Sequence, residues 1–197
     1  MSKVRLGVLI SGRGSNMKAI VEACKNKSIP AEVKIVISNK KNALGLELAE
    51  SYGIETKYIN SKDYPSKEAY EAAITSILDV HNVELTCLAG YMKVLGPKFI
   101  QKHQGKLINI HPSLLPAFKG LDAQKQAFEY GVKIAGCSVH FVDETVDGGT
   151  IIMQDIVHVT DTDTLDSMTN NILKKEHILY PKAINWVIEN HIKRGTK

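Results

Sequence analysis

The stretch of this chain richest in chemistry is Asn109-Ile110-His111-Pro112-Ser113-Leu114-Leu115-Pro116. Asn109 and His111 stand two apart at the end of an apolar run, so a strand that persists through them projects both side chains to one face. Pro112 restricts His111 to extended backbone and stiffens it. An amide beside an imidazole can serve one developing oxyanion, and an imidazolium can also give up a proton. For an isolated histidine the plainer alternative is a loop residue bonded to backbone. The connector Val142-Asp143-Glu144-Thr145-Val146-Asp147-Gly148-Gly149 weighs against it, because two glycines let the chain bring a carboxylate close to the ring. Such a carboxylate raises an imidazole pKa and fixes its orientation. Spacing alone does not rank Asp143, Glu144 and Asp147 for that place.

A second site follows the first apolar run, at Ser11-Gly12-Arg13-Gly14-Ser15-Asn16. Glycines permit a tight turn, and the helix that follows offers unpaired N–H groups to an anion. This is not a nicotinamide fingerprint. Met17 replaces the third glycine, and Ser38-Asn39-Lys40 stands where the ribose-binding acid belongs. The turn can hold a phosphate but lacks the ribose anchor. A third candidate comes from periodicity: Leu165, Met168, Ile172, Leu179, Ala183 and Val187 form an apolar stripe, and Glu176 falls on it. A glutamate on a buried face needs a partner. The alternative is a kink near Pro181 that lets Glu176 reach water. His140 and His158 fall in strands and read as satisfied structural residues, and no histidine has ligand spacing with Cys or carboxylates, so no metal site is expected.

The elements that position these residues are short apolar runs with the length and β-branching of buried strands: Val4–Ile10, Val33–Ile37, Leu85–Ala89, Leu107–Ile110, Ser138–Val142 and Ile151–Val157, with Thr56–Ile59 a shorter candidate. Helical spacing covers Asn16–Cys24, Ala43–Ser51, Glu68–Val80 and Asp122–Tyr130, with Asp122 as a cap, and a long helix from about Thr164 to Ile192 with cap candidates in Thr160–Thr164. Strand–helix alternation predicts an α/β fold, a mostly parallel twisted sheet with helices on both faces. From about Gly136 an antiparallel extension is expected. No repeat or linker divides the chain, so residues 1–197 read as one domain.

Composition narrows the function. The 197 residues carry 25 Lys+Arg against 21 Asp+Glu, a formal charge of +4, with no basic run longer than a pair. That suits a small anionic ligand better than a nucleic-acid groove. Three cysteines without a CxxC argue against a disulfide framework or structural zinc. The N-terminal apolar run is too short for a signal peptide, and no run approaches a membrane span, so a cytoplasmic protein is expected.

Gly14-Ser15-Asn16, Ala89-Gly90-Tyr91-Met92-Lys93-Val94-Leu95, the Asn109–Pro116 segment and Asp147-Gly148-Gly149, in this order over nearly the whole chain, resemble the folate-dependent formyltransferases. The resemblance implies a Rossmann-like formyltransferase fold. It also implies transfer of a formyl group from 10-formyltetrahydrofolate to the amine of glycinamide ribonucleotide in purine synthesis, without a metal. It assigns Asn109, His111 and Asp147 to catalysis and the ribonucleotide phosphate to Gly14, Ser15 and Asn16. It gives Glu176 to the ribonucleotide amine, and Met92, Lys93, Val94, Leu95 and Asn109 to the folate. Lys67 stands where some members have an arginine near the folate, which keeps the charge and loses the bidentate fork. Branches that use water or a charged tRNA as acceptor carry extra domains, for which this chain is expected to have no room. A non-catalytic nucleotide-binding module would keep the turn but not the Asn109, His111 and Asp147 set. Monomer and homodimer both remain open.

Overall fold

The computed structural model describes residues 3–192. Its strands are β1 (Val4–Ile10), β2 (Ala31–Ser38), β3 (Glu55–Tyr58), β4 (Leu85–Leu88), β5 (Leu107–His111), β6 (Ile134–Phe141) and β7 (Ile151–His158). Its helices are α1 (Ser15–Lys25), α2 (Leu44–Ser51), α3 (Lys67–Val80), α4 (Pro97–Lys102), α5 (Ala123–Tyr130) and α6 (Leu165–Val187). The strands form one sheet in the order β3-β2-β1-β4-β5-β6-β7. Pairings from β3 through β5 are parallel, while β5–β6 and β6–β7 are antiparallel.

Strands covered on both faces need apolar residues at nearly every position, and successive side chains go to opposite faces. In β2, Ile35 and Ile37 join a core with Tyr70 and Ile74 of α3 and Phe99 of α4. Val36, between them, joins the opposite core with Met17 and Ile20 of α1 and Ile172 and Tyr180 of α6. Full burial of such an aliphatic side chain contributes roughly 1.5–3 kcal/mol relative to exposure. The strand order switches direction between β1 and β4, and at the carboxyl ends of these strands the first turn meets the segment after β4, where the Ser11 amide donates to the Gly90 carbonyl (3.1 Å).

Several boundaries differ from the sequence reading. β6 begins at Ile134, four residues before the expected Ser138, because Ile134–Cys137 pair with His158–Asp155 of β7. Gly136 breaks the β-rich run in sequence, but its pairing with Ile156 continues the ladder. α4, which periodicity missed, is six residues long and starts on a proline at its first turn. Asp122 holds the cap position of α5 in a left-handed conformation (φ 55°), and its side chain makes no cap bond. Thr164 does cap α6, in a reciprocal box with Ser167. The helix runs through Pro181 to Val187 and ends in a π turn over Ile188–Ile192.

Candidate active site

β5 ends on His111, with Asn109 opposite His140 and His111 opposite Ser138 in the antiparallel register. The chain then leaves the sheet through Pro112–Pro116, and Ser138 holds this loop. Its Oγ accepts from the Leu115 amide (2.9 Å) and from Gln154 Nε2 (2.8 Å), and donates to the Ser113 carbonyl (2.7 Å). A hydroxyl has one proton and two lone pairs, so Ser138 is fully used. Gln154 also donates to the Leu115 carbonyl (3.0 Å), and Ser113 Oγ closes the loop on the Ala117 carbonyl (2.6 Å). The segment after His111 is therefore fixed from two strands.

Asp147 arrives from the β6–β7 connector with φ 50°. Gly149 lies so near the Phe141 carbonyl that any side chain there would collide with it, and this close approach draws the connector inward. Asp147 Oδ2 accepts from the Gly120 amide (2.8 Å) and lies 3.3 Å from His111 Nδ1, while Oδ1 lies 3.6 Å from His140 Nε2. Burial opposes ionisation of this carboxyl, but His140, the Gly120 amide and His111 together outweigh it and hold the acid below its ordinary value. Asp143 instead accepts from the Thr145 amide, and Glu144 is exposed. The choice that spacing left open thus falls on Asp147.

His111 Nε2 sits 2.9 Å from the Phe118 carbonyl, to which it can only donate. Its two nitrogens therefore face a carbonyl and a carboxylate, and the doubly protonated ring satisfies both. For Nε2 to serve a substrate, that substrate must take the place of the Phe118 carbonyl. His140 Nδ1 donates to the Phe141 carbonyl (2.8 Å). Its Nε2 is shared. Neutral, it accepts from Asn109 Nδ2 at 3.2 Å, and protonated, it donates to Asp147. In the neutral arrangement Asn109 keeps a second amide hydrogen to offer elsewhere.

A separate cluster lies where α1 meets α6. Gly14 precedes α1 with φ 77° and no side chain caps the helix, so its leading amides remain open to an anion. A Cβ on Gly14 would stand 2.7 Å from Gly45 Cα, and the Gly45 amide donates to the Gly12 carbonyl (3.0 Å). The first turn of α2 thus braces the turn. Asn16 Nδ2 donates to Glu176 Oε2 at 2.7 Å. Glu176 is 5% exposed, which excludes the alternative in which it reaches water. Burial pushes its carboxyl up to about 7, against the Asn16 amide, which favours the charge. Asn16 Oδ1 is buried and has no hydrogen-bond partner among the described residues.

Met92–Leu95 follows β4 as an irregular segment, with Met92 62% and Val94 66% exposed and Leu95 in the core. Lys93 Nζ stands 5.4 Å over the Tyr70 ring. Lys67, in the first turn of α3, lies 3.9 Å from Glu71, away from the histidine cluster on β5 and β6. The structure therefore gathers Asn109, His111 and Asp147 into one group and Gly14, Ser15, Asn16 and Glu176 into another, with Met92–Leu95 at the carboxyl end of the neighbouring strand. The sequence reading gave His140 only a structural place in its strand, whereas its Nε2 stands at Asn109 and Asp147; Ser138, Gln154 and Gly45 were not singled out as site residues. Only the pairing of β5 with β6 reveals His140, since it sits opposite Asn109. Among the described residues no group of three or more His, Cys, Asp or Glu side chains is arranged to hold a metal ion.

The sequence model of the family described as formyl transferase matches residues 4–184. The trifunctional purine biosynthetic protein adenosine-3 of Chironomus tentans is 48% identical over 197 residues, 99% of this chain but 14% of the relative. The chain thus spans a small part of that longer protein. The phosphoribosylglycinamide formyltransferase of Escherichia coli (strain K12) is 42% identical over 186 residues, 94% of this chain and 88% of the relative. The crystal structure of glycinamide ribonucleotide transformylase 1 from Symbiobacterium toebii superposes with a TM-score of 0.91 at 46% identity, covering 93% of this chain and 87% of that one.

Proposed function

Because this chain belongs to the formyl transferase family, we propose that it transfers the formyl group of 10-formyltetrahydrofolate to the amine of N1-(5-phosphoribosyl)glycinamide. The products are the N-formyl compound and tetrahydrofolate, and the step belongs to purine synthesis. One observation carries the reading: the His111–Asp147 pair at 3.3 Å, with Asn109 two residues before it on the same strand end. A nucleotide-binding module has no use for that set.

The neutral amine attacks the formyl carbon, and the carbonyl electron pair moves to oxygen. Asn109, oriented by His140, donates its remaining amide hydrogen to the oxyanion. His111, once the substrate has displaced the Phe118 carbonyl, donates there as well. Collapse breaks the bond to the folate nitrogen, which takes a proton from His111. The ring regains one from the former amine, so charge and protons balance over the cycle. Asp147, held ionised, faces His111 Nδ1 at 3.3 Å and keeps the imidazole oriented. Preorganised donors of this kind are each worth roughly 10²–10³ in rate.

The ribonucleotide phosphate goes to the open amides of Gly14, Ser15 and Asn16. Glu176 and the unpartnered Asn16 Oδ1 present acceptors to the amine end of that substrate, and a ligand N–H there would satisfy a buried acceptor. The folate lies along Met92, Lys93, Val94 and Leu95 toward Asn109, with Lys67 as a point charge at its edge. All three ligand regions stand on one seven-stranded sheet, so one domain suffices. No helix among the described residues is long and apolar enough to cross a membrane. Absorbance-monitored release of tetrahydrofolate tests the reading. Turnover that requires glycinamide ribonucleotide is expected. Equal release without it would indicate water as acceptor, and no release with either would end the proposal.

A further inference from the structure

Met92–Leu95 belongs to no strand or helix, yet it must be positioned if a ligand is to lie along it. Its side chains divide in two: Tyr91 and Leu95 enter the core beside α3, while Met92 and Val94 point outward. The backbone is held at both ends by side chains from elsewhere. At one end the Met92 amide donates to Ser11 Oγ at 2.8 Å. Ser11 in turn donates to Asn39 Oδ1 at 2.5 Å, which turns a hydroxyl lone pair toward Met92. The Ser11 amide also donates to the Gly90 carbonyl (3.1 Å), just before the segment. At the other end the Gly96 amide donates to Glu71 Oε1 at 2.7 Å. Glu71 is 4% exposed and has Lys67 at 3.9 Å. A buried acceptor bonded to one amide fixes that amide firmly, because displacing it would leave both groups unsatisfied. Just before the segment, the Tyr91 and Tyr70 hydroxyls meet at 2.6 Å.

We propose that Ser11 and Glu71 are positioning residues, a two-ended clamp on the backbone of Met92–Leu95 that sets how tightly the chain holds a reduced folate. The proposal rests on the reading that the folate lies along this segment. Ser11 directly precedes the turn assigned to the ribonucleotide phosphate, so one hydroxyl ties the frames of both ligand regions together. Neither residue needs to touch the folate. Each acts through a backbone amide, and loss of either bond lets an exposed, unpaired segment fluctuate.

Amide hydrogen exchange in the ligand-free protein tests the clamp without reference to any ligand. Ser11→Ala should speed exchange at Met92, and Glu71→Ala should do so at Gly96, each by about tenfold, the scale of one hydrogen bond. Ser11→Thr keeps the hydroxyl and should restore the Met92 amide. Asn39→Ala frees the hydroxyl without deleting it and should move Met92 in the same direction by less, which covers the case in which Ser11→Ala does not fold. Unchanged exchange at both amides overturns the clamp. Calorimetry with tetrahydrofolate then tests its consequence. Ser11→Ala and Glu71→Ala should raise the dissociation constant by about five- to tenfold, with Ser11→Thr near the parent value. Val94→Asp, which alters an outward side chain and leaves the clamp intact, separates the two claims. If it leaves tetrahydrofolate binding unchanged, the folate does not lie along this segment and the underlying reading fails. If Val94→Asp weakens binding but the clamp variants do not, the clamp proposal fails alone.

Discussion

Two carboxylates, Asp147 in the β6–β7 connector at one corner of the site and Glu176 on α6 at a second, have surroundings that give them opposite tendencies. Asp147 is half-buried in a loop corner where a backbone amide and two imidazoles face it, and these hold it below its ordinary value against desolvation. Glu176 is buried on α6, where one asparagine amide is its hydrogen-bond partner, and desolvation pushes it up to about 7. Desolvation is common to both. What differs is the number of donors and positive charges that replace water, and that difference decides whether the acid stays ionised. The charged one can support an imidazolium. The one poised near neutrality can meet a substrate amine without forcing it to stay protonated.

The largest expected effect comes from cancelling the charge at the first corner. Asp147→Asn should lower turnover at neutral pH by roughly 10²–10⁴-fold, the range of a disabled general acid. Turnover near the parent value would show that the carboxylate only packs against the ring. Next in size, Asn109→Ala and His111→Ala should each lower turnover by roughly 10²–10³-fold, and the double variant by less than the product. Multiplicative losses would show that the two groups act at separate steps.

The second corner should respond mainly in stability, with a sign opposite to the first. Asp147, depressed in the folded state, contributes stability above the unfolded pKa of about 3.9, and this is lost as pH falls through the folded value. Glu176 behaves in reverse. Its folded value of about 7 lies above the unfolded value, so the folded chain binds more protons over that window. Its contribution is full below pH ~4.3 and fades as pH rises toward 7. Glu176→Gln keeps an acceptor for Asn16 and removes the titration. It should stabilise the protein above pH 7 by up to roughly 3 kcal/mol, as read by urea unfolding, while turnover falls. Destabilisation at pH 8 would mean that the fold needs the charge. Smallest is Gly14→Ala, expected to cost about 1–2 kcal/mol for a side chain at positive φ, with the contact to Gly45 adding to it. An unchanged unfolding midpoint would deny the turn its close packing.

The same contrast explains what the sequence made legible. Glu176 shows itself because helical spacing is a local property: one acid on a stripe of Leu165, Met168, Ile172 and Leu179 announces its own burial. Asn109 and His111 show themselves because alternation at a strand end is also local. His140 does not, because its place opposite Asn109 depends on β6 running antiparallel to β5, a fact no single segment contains. Nor could spacing choose among Asp143, Glu144 and Asp147. That choice is made by a left-handed residue and by the contact of Gly149 with the Phe141 carbonyl, both tertiary. The early start of β6 was hidden for a related reason, since Gly136 is a poor strand residue whose pairing is supplied by β7.

Carbon-13 NMR titration of the side-chain carboxyls, with Asp147→Asn and Glu176→Gln used to assign the two signals, measures both corners in one sample. The expected result is an Asp147 carboxyl that stays ionised below the ordinary aspartate range and a Glu176 carboxyl that titrates near 7. Two ordinary titrations near pH 4, with no separation between the residues, would contradict the account.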